Sequence, residues 1–425
     1  MNSKICLFLS IIIFFQASQT AKVCPTKEEF EKNNPNFLSQ GFLDYKARTK
    51  GDLLSYLRIG SKILGSGGFG EIYQLRDYSD IVIKRVIIHP IKQIDIFLKE
   101  VKTLRYICKQ KPDDYKKFLP CQSEAIAAFF GCFLDDDEIY EFHEKMATDL
   151  SKKDIKLAYR ALPAYERVRI MLDITDKFIE LHELKVVHSD IKPENIMMKS
   201  DDFKEFRIID LGLANMSGKD FLGTTPGYQP PETNSSKNKG RILGFKNDVF
   251  SLGMTFAELE GDFIDFKTVD KECSKSREDK TNCQRLISLG LQNAFKSKKG
   301  LLSLLPAIEK ATEAYKANRF ETMRAFSDKM IEVFKTFKGS EPIIQNLNDI
   351  AQKESENFRF PGYWRNAIVL KKEKAKKEER SEGILDKIIR FFTCGNNNPK
   401  KNKKTIIANP YKNVVNGVNK KKIIL

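Results

Sequence analysis

The spacing of hydrophobic positions along this chain divides it into two structural regimes. Between Tyr56 and Lys84, short β-rich runs flank a glycine cluster, and Ile81-Val82-Ile83-Lys84 reads as a strand that follows a β-hairpin. From Ile91 to Lys109 the period becomes helical, with Ile94, Phe97, Leu98, Val101 and Leu104 on one face and Glu100 on its edge. Ala125–Phe133 and Glu138–Phe142 read as two more strands, joined by the acidic turn Asp135-Asp136-Asp137. Together these predict a five-stranded sheet with one main helix.

Beyond Asp149 the helical period dominates. Tyr165–Leu184 lines up Val168, Met171, Leu172, Thr175, Phe178, Ile179 and His182 on one face. Asp248–Glu260, Gly300–Ala317 and Phe320–Phe337 are further predicted helices, and the polar stretch Asp265–Asn282 reads as an exposed insertion. A small β lobe therefore precedes a larger α lobe. Internal repeats are absent.

Composition adds the ends of the chain to this picture. At 425 residues, 41% hydrophobic and 31% charged, the chain is long enough and apolar enough for a sizeable core. The net charge of +16 is uneven: Lys371–Leu425 holds sixteen Lys/Arg against five Asp/Glu, leaving the body only mildly basic. At the other end, Lys4 precedes the apolar run Ile5–Phe15 and then small and polar residues through Ala21, the pattern of a secretory signal peptide. The run falls short of the roughly 20 residues a spanning helix needs, so cleavage between Ala17 and Ala21 is expected, with an uncleaved membrane anchor as the alternative. The expected location is the secretory pathway, secreted or lumenal.

The expected organisation is a signal peptide over 1–21, a leader of short helices over 22–55, and a two-lobed domain over 56–340 that divides near residue 146. A basic, largely disordered extension over 341–425 follows. Its clusters Lys371–Lys377, Lys400–Lys404 and Lys420–Lys422 suit an anionic membrane surface, while the export signal argues against a nucleic-acid partner. Of eight cysteines, Cys6 falls in the signal, leaving an odd seven. Cys121 with Cys132, and Cys273 with Cys283, are close enough in sequence for local disulfides, buried free thiols being the alternative.

Candidate chemistry begins at Gly65-Ser66-Gly67-Gly68-Phe69-Gly70, a G-x-G-x-x-G segment whose backbone amides can approach phosphate oxygens. Glu71-Ile72-Tyr73 continues it as a strand, where a dinucleotide-binding loop would open a helix. Fourteen residues after Gly70, Lys84 ends a strand from which an ammonium can reach the α and β phosphates if a carboxylate holds it, and Glu100 is the candidate holder. Farther along stand His188-Ser189-Asp190-Ile191-Lys192-Pro193-Glu194-Asn195 and Ile208-Ile209-Asp210-Leu211-Gly212. These segments resemble the catalytic loop and metal-binding motif of eukaryotic protein kinases of the Ser/Thr type.

The resemblance covers about two thirds of the chain. It implies an α+β, bilobal fold and transfer of the γ-phosphate of ATP to a Ser or Thr hydroxyl of a protein substrate. Asp190 would be the base, Lys192 the cation beside it, and Asn195 and Asp210 the Mg²⁺ ligands. ATP would lie against Gly65, Gly67, Gly68, Gly70, Ile72 and Lys84, with Glu144 to Met146 at the adenine and His143 at the back of the pocket. Gly223-Thr224-Thr225-Pro226-Gly227-Tyr228-Gln229-Pro230-Pro231-Glu232 resembles the family's substrate-binding segment, with Pro230 in place of the usual Ala. It implies that Thr225 bonds near Asp190, that Glu232 pairs with Arg319, and that Asp248 braces the catalytic loop. Two departures stand out. Ser189 replaces an Arg that many members use to bind a phosphorylated activation segment, and Asp-Leu-Gly replaces Asp-Phe-Gly at Asp210. A catalytically silent scaffold, or a membrane-associated protein acting through its basic tail, are the alternative readings.

Overall fold

The computed structural model describes residues 24–33, 64–67, 70–74, 80–87, 92–112, 121, 123–135, 138–217, 225–233, 244–261, 266–275, 279–296, 299–337 and 340. The signal segment, most of the leader, Gly68, Thr224 and the basic extension lie outside these residues. Helix α1 spans Lys27–Asn33. The β lobe contains β1 (Gly65–Gly67), β2 (Gly70–Gln74), β3 (Ile81–Ile87), helix α2 (Lys92–Ile107), β4 (Phe129–Asp135) and β5 (Glu138–Glu144). Its strands form one antiparallel sheet in the order β1-β2-β3-β5-β4. Strand β3 buries Ile81, Val82, Ile83 and Val86, and β5 is buried on both faces from Glu138 to Phe142, which is why these β-branched and aromatic runs settle in the sheet centre.

The α lobe follows with β6 (Thr148–Asp149), α3 (Lys153–Ala161), α4 (Ala164–Glu183), β7 (Val186–Val187), β8 (Ile196–Met198), β9 (Phe206–Ile208) and β10 (Asn215–Met216). Helices α5 (Phe245–Glu260), α6 (Phe266–Lys275), α7 (Thr281–Lys296), α8 (Leu305–Ala311) and α9 (Met323–Phe334) complete it. The architecture is bilobal and α+β, as the resemblance implies. Helix α5 is apolar along most of its length and is buried on nearly every side, the behaviour expected of a central core helix. Its Gly253 lets α8 approach, because an added Cβ would stand 2.6 Å from Thr312 Cγ2 and 3.2 Å from Ala311 Cβ.

Several local expectations change. Only the second half of Ala125–Phe133 joins the sheet. The register shifts between Phe129 and Gly131, where Gly131 takes φ 145° that a side chain would resist. The first half turns instead to the α lobe: Ile208 N–H donates to Ala125 O at 2.8 Å and Ala127 N–H donates to Ile208 O at 3.0 Å. The predicted helix Gly300–Ala317 is broken into a 3₁₀ turn over Lys299–Leu304 and the short α8, because Pro306 fits only a first helical turn. The Asp265–Asn282 stretch is no plain exposed insertion. It contains α6, whose Val269 and Cys273 are buried, and the Cys273–Cys283 disulfide ties that helix to α7.

The Cys121–Cys132 pairing is corrected. Cys132 bonds Cys24 of the leader, and Cys121 bonds Cys108 just past α2, with Cα separations of 5.7 and 4.8 Å, within the span a disulfide bridges. Closeness in sequence misled because Cys132 is fixed inside a strand, and its sulfur faces the segment that crosses the sheet edge. There Leu134 N–H donates to Pro25 O at 2.9 Å, and Thr26 pairs with Leu134 in parallel. The leader thus covers the open edge of β4. Edge coverage of this kind shields unpaired strand groups.

Candidate active site

The site lies where β3, α2 and the loops after β7 and β9 converge. Strand β3 delivers Lys84 opposite Ile72 on one side and Glu141 on the other. Lys84 Nζ donates to Glu100 Oε2 at 2.7 Å and lies 3.6 Å from Glu141 Oε2. Burial works against the Lys84 charge, but Glu100, Glu141 and Asp210 together hold its ammonium above the usual lysine range. Burial, with Glu141 and Asp210 nearby, pushes the Glu100 carboxyl up, against the pull of Lys84. Glu141 is fully buried, yet Lys84 and His143 bring its carboxyl below the usual range. Glu141 was missed in the sequence. Its signal was an acidic residue flanked by Ile139-Tyr140 and Phe142 in mid-strand, two positions before His143 and therefore on the same face.

The glycine segment opens the sheet at β1 and β2, which pair Gly65 with Ile72 and Gly67 with Gly70. Gly70 has φ 133°, and an added Cβ would stand 2.3 Å from Arg85 O, so only glycine fits this bend. At the far end of β5, the amides of Glu144, Lys145 and Ala147 donate to Ala128 O, Asp80 O and Met198 O. The Met146 amide lies between them, in the segment expected to meet adenine. The Glu144 side chain points elsewhere, accepting from Ala128 N–H at 3.2 Å and pairing with Lys199 at 2.9 Å.

The loop after β7 carries Asp190 into a cage of donors. Its Oδ1 accepts from Thr225 N–H at 2.9 Å and from the Thr225 hydroxyl at 2.6 Å. Its Oδ2 accepts from Lys192 Nζ at 2.8 Å and Asn195 Nδ2 at 3.1 Å, and Lys192 also donates to Thr225 Oγ1 at 2.8 Å. Burial raises the Asp190 carboxyl, but the bonds from Lys192 and Thr225 outweigh it and hold the group below the usual carboxylate range. Asp190 is therefore ionised at neutral pH.

This loop is held from beneath. Asp248, fully buried on α5, accepts from His188 N–H at 2.7 Å and Ser189 N–H at 2.9 Å, and meets His182 Nε2 at 2.9 Å. The two amides require the unusual φ of 70° at Ser189. His188 then links the two motifs: its Nδ1 accepts from Asp190 N–H at 3.2 Å and its Nε2 donates to Ile209 O at 3.2 Å. Asp210, with φ 61°, follows directly. Farther out, Arg319 grips Glu232 at 2.8 and 2.7 Å, anchoring the end of the Thr225 segment. The roles of His182 and His188 were also absent from the sequence reading. Both depend on contacts across 66 and 21 residues.

The donors present suit Mg²⁺. Asn195 spends its amide nitrogen on Asp190 O and Oδ2, which leaves its oxygen for a cation, and Asp210 adds a carboxylate. Among the described residues no three His, Cys, Asp or Glu side chains group as a metal cage. Mg²⁺ commonly takes one or two protein oxygens and completes its shell with phosphates and water.

Residues 59–335 match the family model described as protein kinase domain. Among curated proteins, the chain is 29% identical over 207 residues to serine/threonine-protein kinase SBK1 of Danio rerio, spanning 47% of this chain and 50% of that protein. It is 26% identical over 235 residues to serine/threonine-protein kinase dkf-2 of Caenorhabditis briggsae, spanning 52% and 18%. The chain thus matches half or less of the length of these relatives. Among solved structures, the twitchin kinase region from C. elegans is similar at 20% identity and a TM-score of 0.46, over 63% of this chain and 44% of that one. With the family match spanning well over half its length, the chain belongs to the protein kinase domain family.

Proposed function

We propose that this chain is an active protein Ser/Thr kinase that transfers the γ-phosphate of ATP to a protein hydroxyl. The observation that carries the reading is the donor cage on Asp190, which keeps an ionised carboxylate in one orientation. Asp190 accepts the proton of the incoming hydroxyl as the new oxygen–phosphorus bond forms. Lys192 steadies that carboxylate and places a positive charge beside the transferred group. Lys84 holds the α and β phosphates, and Asn195 and Asp210 hold Mg²⁺, which offsets phosphate charge when bound. Ser/Thr selectivity is supported by Lys192 two residues after Asp190, the pattern that the resemblance assigns to Ser/Thr kinases, with Thr225 bridging the pair.

The oxidising location expected from the N-terminus is supported by disulfides. Cys24, Cys108, Cys121, Cys132, Cys273 and Cys283 are all paired, a pattern foreign to reducing compartments. Sequencing the N-terminus of the mature chain from secreted material distinguishes a cleaved signal from an anchor. For the chemistry, purified full chain is incubated with Mg²⁺ and ATP and a mixed peptide library, beside Asp210→Asn. Phosphate incorporation on Ser and Thr that disappears in the variant is the expected result. Equal incorporation by both, or none by either, would favour the silent scaffold.

A further inference from the structure

Lys84 is served by two carboxylates that differ in what carries them. Glu100 rides on helix α2, which reaches β4 through Arg105 and Cys132 Sγ at 3.6 Å. Glu141 stands on β5, directly opposite Lys84 in the β3–β5 ladder, so its distance to the lysine backbone is fixed by the strand pairing itself. Both carboxylates approach the same ammonium, at 2.7 and 3.6 Å.

Glu141 is not explained as an ordinary structural ion pair. It is fully buried, in a strand where an apolar side chain would pack at lower cost. Its Oε2 is shared between Lys84 and His143 Nε2, the latter at 3.0 Å, while its Oε1 is buried with no hydrogen-bond partner among the described residues. A carboxylate kept there for stability alone would be expected to have its lone pairs filled. What the position does supply is a second negative charge on the phosphate-facing lysine. The ionisable groups around it are Lys84, Glu100, Asp210 and His143.

We propose that Glu141 is a positioning residue that holds Lys84 toward the nucleotide from the sheet, so that the lysine is oriented by a strand-borne carboxylate as well as by the helix-borne Glu100. The proposal rests on the reading of Lys84 as the phosphate-binding lysine. In this arrangement the helix-borne pair is backed by a strand-borne one, and loss of either carboxylate alone weakens nucleotide binding far less than loss of both.

The test compares full-length wild type with Glu100→Gln, Glu141→Gln, the double variant, and Glu141→Asp in the Glu100→Gln background. Affinity for a fluorescent ATP analogue with Mg²⁺ is measured beside initial rates on a mixed peptide library and the melting temperature. Each single variant is expected to lose about threefold in nucleotide affinity, and the double variant about a hundredfold, well beyond the roughly tenfold product of the singles. Glu141→Asp, which keeps the charge, should recover affinity that Glu141→Gln does not, at similar melting temperature. Single effects that simply multiply, or a Glu100→Gln variant as weak as the double, overturn the proposal. If the Glu141→Gln variants do not fold, Glu141→Asp is measured alone and with Glu100→Gln: the shortened side chain should lower nucleotide affinity more in the Glu100→Gln background than in wild type, and an equal or smaller loss overturns the proposal. Failure of wild type to bind the nucleotide would instead overturn the kinase reading beneath it.

Discussion

Arg319 grips Glu232 through both terminal guanidinium nitrogens, at 2.8 and 2.7 Å, across 87 residues of chain. The arginine is buried, and its Nε and Nη2 also donate to Glu313 O and Ala314 O at 2.6 and 3.3 Å. Removing the carboxylate strands a buried cation, so Glu232→Gln should cost about 3–5 kcal/mol in urea unfolding at pH 7. Burial raises the Glu232 carboxyl, but Arg319 more than compensates and holds it below its unfolded value of 4.5. The pair's contribution is therefore complete above that value and is lost as pH falls through the lower folded one. Wild type should show a steeper loss of melting temperature than Glu232→Gln below about pH 4.5, and parallel curves would refute the link.

The donor cage on Asp190 predicts a separation of chemistry from binding. Asp190→Asn keeps the shape but removes the proton acceptor. Transfer to peptide should fall ~100- to 10,000-fold, with nucleotide affinity changed less than about threefold. Equal losses in both would mean that Asp190 serves the architecture of the loop and not the proton.

Activity should not depend on a phosphorylated activation segment. The residue before Asp190 is a buried Ser189 whose N–H is committed to Asp248, and no guanidinium stands there to bind a phosphate. Enzyme treated with phosphatase at Ser217, Thr224 and Thr225 should retain its rate within about twofold. Complete inactivation by the phosphatase, reversed by rephosphorylation, would contradict this.

Disulfide pairing gives a structural prediction. Non-reducing peptide mapping should recover Cys24–Cys132, Cys108–Cys121 and Cys273–Cys283. Because Cys24 and Cys132 are 108 residues apart, their link restricts the unfolded chain most, by roughly 4–5 kcal/mol on a chain-entropy view. Cys24→Ser should therefore lower the melting temperature more than Cys273→Ser, whose loop spans 10 residues.

The hydrophobic period of the chain determined the two-lobe order, the five strands and most long helices, because each is set by neighbours a few positions apart. The candidate residues Lys84, Asp190, Lys192, Asn195 and Asp210 could be proposed from sequence because the resembling motifs keep a set order along the chain. Tertiary structure decided what depends on distant partners. It turned Ala125–Ala127 from the sheet to Ile208 and paired Cys132 with Cys24 in place of nearby Cys121, whereas the break of the Gly300–Ala317 helix follows from Pro306 itself and was open to the sequence. It also brought His182 and Asp248 beneath the catalytic loop and set Glu141 beside Lys84. Strand register and side-chain direction fix such contacts, and neither is encoded in the spacing of residues along a single segment.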